Sequence, residues 1–182
     1  HHDRGVRMHT DSGMFSARYA IVAIPPLLAG RIRYTPELPS RRDQLTQRYG
    51  MGATTKAMAI YDTAFWREAG FSGEVVSNGK PISCVFDNTS HDGAVPALLS
   101  FIVGRPAREW ASRPADERRA EVLASLARYF GPQAKTPVHY EEKDWCDEEW
   151  TRGCPVGIAP PGIMADLGRE LRTPIGRIHW AG

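Results

Sequence analysis

Between Pro137 and Gly162 the chain reads PVHYEEKDWCDEEWTRGCPVGIAPPG, and this stretch limits what the rest can fold into. Two tryptophans, a tyrosine, a histidine and two of the three cysteines lie among six acidic residues. An indole favours about 200 Å² of burial and a partner for its N–H. Trp145 and Trp150 therefore argue against a solvated loop. Glycines at 153, 157 and 162 allow backbone to run close to another surface. Two readings fit: the wall of a site for a large planar ligand, or an irregular crossing of the core stiffened by aromatic rings. Either needs a domain able to enclose it. With 182 residues, 42% of them apolar, the chain supplies one domain or one and a fraction.

The charge balance excludes some partners. A formal net charge of +2 marks no nucleic-acid footprint and no charged membrane surface. No apolar run approaches the ~18 residues of a membrane span, and no signal peptide opens the chain. Three cysteines without a framework spacing suit a reducing, cytoplasmic compartment. The opening HHDRGV and the closing RIHWAG, a strand with no turn after it, read as cuts in a longer protein.

Residues 6–10 and 17–24, joined around Asp11-Ser12-Gly13, read as a β-hairpin ended by Pro25-Pro26, with a short helical turn after it. The pattern from Ser40 to Tyr49 predicts a helix, with Ser40 as N-cap, Asp43 at the capping-box position and Gly50 as the C-terminal turn. Residues 53–62 alternate as a strand with Lys56 inside it, and 65–70 as a turn of helix. Shorter strands are expected near 73–77, 82–87 and 97–103. Pro114 opens the longest helix, whose stripe is Val122, Leu123, Leu126 and Phe130, and Gly131 ends it. Ile163, Leu167 and Leu171 form a last short helix. Strands and helices without a βαβ rhythm predict an α+β fold, a mixed β-sheet flanked by helices.

Local chemistry alone names no reaction. Lys56 fits a solvated strand residue, or a partly buried ammonium held against an electron-rich ligand. His139, Cys146 and Cys154 match no zinc-ligand spacing, so no metal is expected. The acids Glu141, Glu142, Asp144, Asp147, Glu148 and Glu149 read as a solvated face. No GxSxG elbow, GxGxxG or P-loop is present.

In order along nearly its whole length, the chain resembles the central portion of the flavin-containing monoamine oxidase family. The matching pieces are ARYAIVAIPP, YTPELP, GATTKAMAIYDTAFW, FDNT, FIVGRPAREW, PVHYEEKDWCDEEWTRGC, the Pro-Pro-Gly and GRIHWAG. The resemblance implies an FAD enzyme that oxidises an amine to an imine, with hydride transfer to flavin and reduction of O₂. It implies that residues 1–25 and 176–182 are parts of a flavin domain and 26–175 a substrate domain. The family's GxGxxG would lie ahead of this segment and a second FAD-binding stretch after it. The segment alone is then expected to be inactive, to bind FAD weakly or not at all, and to self-associate through uncovered apolar surface, with a homo-oligomer a further expectation.

Residue by residue, the resemblance implies that Lys56 is the catalytic lysine facing the flavin through a water. Trp145 is the indole beside the isoalloxazine ring, Val6 a backbone contact to the adenosine half, and Ala181 and Gly182 the start of a cofactor-facing segment. Cys154 falls where one subset of the family carries a thioether to flavin. That subset reads Gly-Gly-Cys-Tyr, whereas this chain reads Arg152-Gly153-Cys154-Pro155, so covalent and non-covalent flavin both stay open. Pro155 cannot supply the aromatic ring of an amine cage. Cys84, Phe86 and Phe101 match substrate-pocket positions. Alternative readings are a polyamine, L-amino-acid or porphyrinogen oxidase, or a non-catalytic binding module retaining the fold.

Overall fold

The structure, a computed structural model, describes residues 5–79 and 81–182. The first part of the chain forms β1 (Val6–Thr10), β2 (Gly13–Ala17), β3 (Ala20–Val22), α1 (Pro26–Ala29), α2 (Ser40–Arg48) and β4 (Gly50–Met51). The middle forms β5 (Thr54–Ile60), α3 (Phe65–Glu68), β6 (Val75–Val76), β7 (Cys84–Asp87), β8 (Ala97–Val103), α4 (Arg105–Trp110), α5 (Ala115–Phe130) and β9 (His139–Asp144). The last part forms β10 (Gly157–Ile158), α6 (Ile163–Leu167) and β11 (Ile178–Trp180), with a 3₁₀ turn at Gly168–Leu171. These elements fall into two compact units. One takes in the chain through Met51, with Glu149–Thr151 and Val156–Gly182. The other is Gly52–Glu148 with Arg152–Pro155.

The second unit is built on a five-stranded sheet in the order β6-β7-β8-β5-β9. Every pairing in it is antiparallel, so it is not the mixed sheet expected. Period-2 alternation explains its two faces. Thr55, Ala57 and Ala59 of β5 are buried, directly opposite Ile102, Ser100 and Leu98 of β8. Val85 of β7 continues that face, against Ser100. Val122, Leu123, Leu126 and Phe130, the stripe read from the sequence, join the same core with Ala107 and Trp110 of α4. Small residues on the buried face of β5 let bulky helix side chains come close. The other face is half-exposed and carries the candidate site.

A second anchor of this core is Trp66, fully buried on α3. Its Nε1 donates to Asp87 Oδ2 at 2.8 Å, and Arg67 Nε donates to the same oxygen at 2.6 Å. The Thr89 amide donates to Oδ1 at 2.9 Å. Gly73 sits against both partners: a Cβ there would lie 2.7 Å from Asp87 Cβ and 2.9 Å from the indole nitrogen. Burial raises the Asp87 pKa, but the bonds from Arg67, Thr89 and Trp66 outweigh it and hold the carboxyl well below the usual range. A depressed folded-state pKa means that Asp87 contributes its full stability above the unfolded carboxylate value near ~4, and loses it as pH falls towards the folded value. Urea unfolding of wild type and Asp87→Asn at a series of pH values checks this. The wild-type advantage should be constant at neutral pH and shrink steadily below pH ~4.

In the first unit, β1 pairs with β2 as an antiparallel hairpin, and β3 pairs in parallel with β11. The hairpin's second arm is therefore Gly13–Ala17, not residues 17–24 as expected. The apolar AIV instead finds its partner at the far end of the chain. Helix α2 forms where expected but without the predicted caps. Pro39 occupies the N-cap with no side-chain cap, and Gly50 begins β4, which pairs with β10. Arg41 and Arg42 of α2 tie it to the last turns: Arg41 Nε is 3.3 Å from Glu170 Oε1, and Arg41 Nη2 also reaches the Asp166 carbonyl.

Candidate active site

The half-exposed face of the five-stranded sheet collects four of the expected residues in two adjoining rows. In the first, Lys56 of β5 stands directly opposite Phe101 of β8, which stands directly opposite Cys84 of β7. In the second, Met58 pairs with Leu99 and Leu99 with Phe86. The rings of Phe86 and Phe101 meet edge to face, 5.6 Å between centroids. Met58 and Leu99 were not picked out from the sequence. The alternation that placed Lys56 on this face also places Met58, two residues on, beside it.

Trp145 comes to the same place from the end of β9. Its amide donates to the Thr54 carbonyl at 3.1 Å, extending the β5–β9 pairing by one residue. The Lys56 Nζ then lies 5.2 Å from the Trp145 ring centroid and 5.3 Å from that of Phe101. Two aromatic rings thus flank one ammonium, within the distance of a cation–π attraction. Among the described residues Lys56 makes no salt bridge. The neighbouring cation on that face, Lys143, stands opposite Lys56 on β9, and its Nζ is 2.5 Å from Glu148 Oε2. Lys56 is half-buried on β5, an inner strand of the sheet, so it is not the edge residue that the solvated reading allowed.

The acid run is not a solvated face throughout. Glu142 points to the helix side of the sheet, where it accepts from Tyr140 Oη at 2.9 Å and lies 2.7 Å from Arg118 Nε. Trp110 Nε1 donates to it at 3.3 Å. Asp144 accepts the Cys146 amide at 2.9 Å. Glu141, Asp147 and Glu149 are exposed as expected. Trp150 is 72% exposed, so its indole is not the buried wall that its type suggested. Burial pushes the Cys84 thiol up, and burial with the nearby Asp144 and Asp147 charges does the same to Cys146. Among the described residues no three His, Cys, Asp or Glu side chains are grouped to hold an ion.

Cys154 and Pro155 sit on a tight turn of the second unit. The Cys154 amide donates to the Gly52 carbonyl at 2.8 Å, and its carbonyl accepts from Thr54 Oγ1 at 2.8 Å. Arg152 reaches this turn with a φ of 51° and Gly153 with 139°. The first is a left-handed conformation that costs an arginine roughly 1 kcal/mol. The two hydrogen bonds tie the turn to Gly52, just ahead of β5, and to Thr54, its first residue, two residues before Lys56. The remaining expected residues belong to the first unit. Val6 is buried at the start of the hairpin. The Ala181 amide donates to the Val22 carbonyl at 3.0 Å, and Gly182 lies against the Ile24 backbone, where a Cβ would overlap it.

A half-buried ammonium with no carboxylate partner among the described residues, framed by aromatic rings on an apolar sheet face, fits the electron-rich edge of a flavin ring. The family comparison agrees: the chain matches, over residues 1–182, the family described as flavin containing amine oxidoreductase, and it belongs to that family. It is 47% identical over 174 residues to a probable flavin-containing monoamine oxidase A of Dictyostelium discoideum, covering 95% of this chain and 38% of that protein. It is 43% identical over 180 residues to an L-amino acid dehydrogenase of Synechocystis sp., covering 99% of this chain and 38% of that protein. Among solved structures, the cyclohexylamine oxidase of Brevibacterium oxydans superposes with a TM-score of 0.92 at 36% identity, over 99% of this chain and 40% of that one. The chain thus spans well under half the length of each of these proteins. No helix among the described residues is long and apolar enough to cross a membrane.

Proposed function

We propose that this chain is the substrate-domain portion of a cytoplasmic, FAD-dependent amine oxidase that converts a primary or secondary amine to an imine with O₂ as electron acceptor. The observation that carries this reading is the Lys56 ammonium between the rings of Phe101 and Trp145. FAD, when bound, supplies the acceptor for the substrate's hydride and passes the electrons on to O₂. Lys56 provides a fixed positive charge where negative charge develops, and its N–H groups can orient a water. Phe101 and Trp145 exclude bulk water from that charge and restrict its position. Cys84, Phe86, Leu99 and Met58 form an apolar wall beside it, suited to the carbon skeleton of an uncharged amine. Val6, Ala181 and Gly182 would meet the cofactor through backbone.

A second reading, oxidation of L-amino acids, is favoured by the Synechocystis relative. The full-length protein decides between them. It should carry visible flavin absorbance that bleaches anaerobically on adding simple monoamines. Bleaching only by L-amino acids would support the second reading, and only by diamines a polyamine oxidase. A full-length protein without flavin would overturn both in favour of a binding module.

Cys154 is the one thiol on the turn where some relatives of this family's pattern attach flavin covalently. Its Arg-Gly-Cys-Pro context lacks the aromatic neighbour, and we expect the flavin to be held without a thioether. Acid precipitation of the full-length enzyme tests this. Yellow colour should pass to the supernatant, and Cys154→Ala should retain a full complement of flavin. Colour kept in the pellet, and lost with Cys154→Ala, would show the thioether.

A further inference from the structure

Arg42 is a buried cation of the first unit and has no part in the site above. It is 2% exposed on α2. Its guanidinium carbon lies 3.7 Å over the centroid of the Trp180 ring, a direct face-on stack. Nη1 donates to the Glu170 carbonyl at the end of the last 3₁₀ turn, while Nε has no hydrogen-bond partner among the described residues. The indole face therefore provides much of what holds this charge in place. Burial lowers the Arg42 pKa, and the charges of Tyr34 and Glu170 oppose that shift.

Trp180 is fixed on its other sides as well. Its Nε1 donates to the Thr173 carbonyl at 3.1 Å. Tyr34 meets it edge-on at 6.1 Å, with the Tyr34 hydroxyl donating to the Ala29 carbonyl at 3.0 Å. Trp180 ends β11, and the next two residues are Ala181 and Gly182. Three registers hold that segment: the parallel pairing of β11 with β3, the Ala181 amide on Val22, and Gly182 against the Ile24 backbone. The stack bears on the last residue of β11, directly before the Ala181 and Gly182 backbone.

We propose that Arg42 is a positioning residue, which by stacking on Trp180 holds the Trp180–Gly182 backbone in the orientation that receives the cofactor. This rests on the flavin reading of Ala181 and Gly182 given above. A planar guanidinium can lie flat on an indole, and a lysine ammonium cannot reproduce that contact. The role therefore depends on shape as well as charge.

The test uses the full-length protein with Arg42→Met, Arg42→Lys and, as a control on the same helix, Arg41→Gln. Arg41 is exposed and pairs with Glu170 without touching Trp180. FAD affinity of the apoprotein is measured by quenching of flavin fluorescence, and the anaerobic flavin reduction rate is measured at varied amine concentration. Arg42→Met should weaken FAD binding about tenfold, matching the loss of a desolvated cation–π contact. It should also slow reduction, with the amine concentration at half-maximal rate unchanged. Arg42→Lys should recover only part of either loss, and Arg41→Gln should behave as wild type. If Arg42→Met fails to fold, Arg42→Lys carries the comparison. FAD affinity within twofold of wild type in the folded Arg42 variants would overturn the proposal while leaving the flavin reading intact, as would an equal loss in Arg41→Gln. A wild-type protein that binds no flavin would overturn both.

Discussion

Lys56→Met in the full-length protein should lower the rate of the lysine-dependent half-reaction by about a hundredfold or more, the usual effect of removing one preorganised charge from a water-excluded site. Methionine nearly matches the lysine in length and can stay between the rings of Phe101 and Trp145, so the fold and the flavin content should be unchanged. The loss then reports the charge and the N–H donors of Lys56 rather than its packing. Rapid mixing of the reduced enzyme with O₂, and of the oxidised enzyme with amine under anaerobic conditions, separates the two half-reactions. Because Lys56 makes no salt bridge among the described residues, no carboxylate is left stranded by the change. A rate within threefold of wild type in both half-reactions would refute a catalytic role for Lys56.

Trp66→Ala carries the largest expected cost in stability. Trp66 is fully buried and touches both Tyr61 and Phe65, with ring centroids 5.7 and 5.1 Å away. Truncating such a ring costs about 4 kcal/mol from lost burial and the cavity left behind. Asp87 also loses one of its donors, though Arg67 and Thr89 remain. For a domain stable by only about 5–15 kcal/mol, that is a large share of the total. Trp66→Phe weighs the two contributions, since it keeps a six-membered ring in the core while losing the N–H and the five-membered part of the indole. It should cost about 1–3 kcal/mol, the price of a donor removed from a buried carboxylate. Urea unfolding of both variants checks the order. Equal destabilisation by Phe and Ala would mean that the hydrogen bond, not packing, dominates.

The parts of the fold that were legible in the sequence are those whose neighbours are set locally. In α5 the spacing of apolar residues matches the period of the element, so its buried face could be read directly. β5 and β8 were legible as strands, but not which of their faces is buried, because that face carries Thr55 and Ser100. Lys56 and Phe101 were named as site residues through resemblance, but their being cross-strand partners required the register. What was hidden depends on distant partners. The apolar AIV of β3 was assigned to a hairpin because it follows a turn, whereas its partner lies at residues 178–180. The true second arm, GMFSA, is exposed throughout and gives no periodic signal. Strand β9 was masked by its charges. HYEEKD looks solvated until Arg118 is seen to pair with Glu142 and the Tyr140 hydroxyl to donate to it. Helix α4 went unread because Pro106 follows directly on Arg105, and Gly104, with a φ of 69°, turns the chain into it. Arg42 could not have been separated from its neighbour Arg41 by sequence alone, since only one of the two is stacked and buried.

The strict alternation along β5 has a consequence for how this chain can change length. Insertion or deletion of one residue between Thr54 and Lys56 would rotate every later side chain of the strand to the opposite face. The ammonium would then be driven towards the helix-covered core, and a deletion would leave Ala57, an insertion the residue before the lysine, where the charge had stood. Two-residue changes keep the parity but move the lysine off Phe101. Length variation among natural variants should therefore be absent from Thr54–Ile60 and collect in segments such as 88–96, where no such parity is at stake.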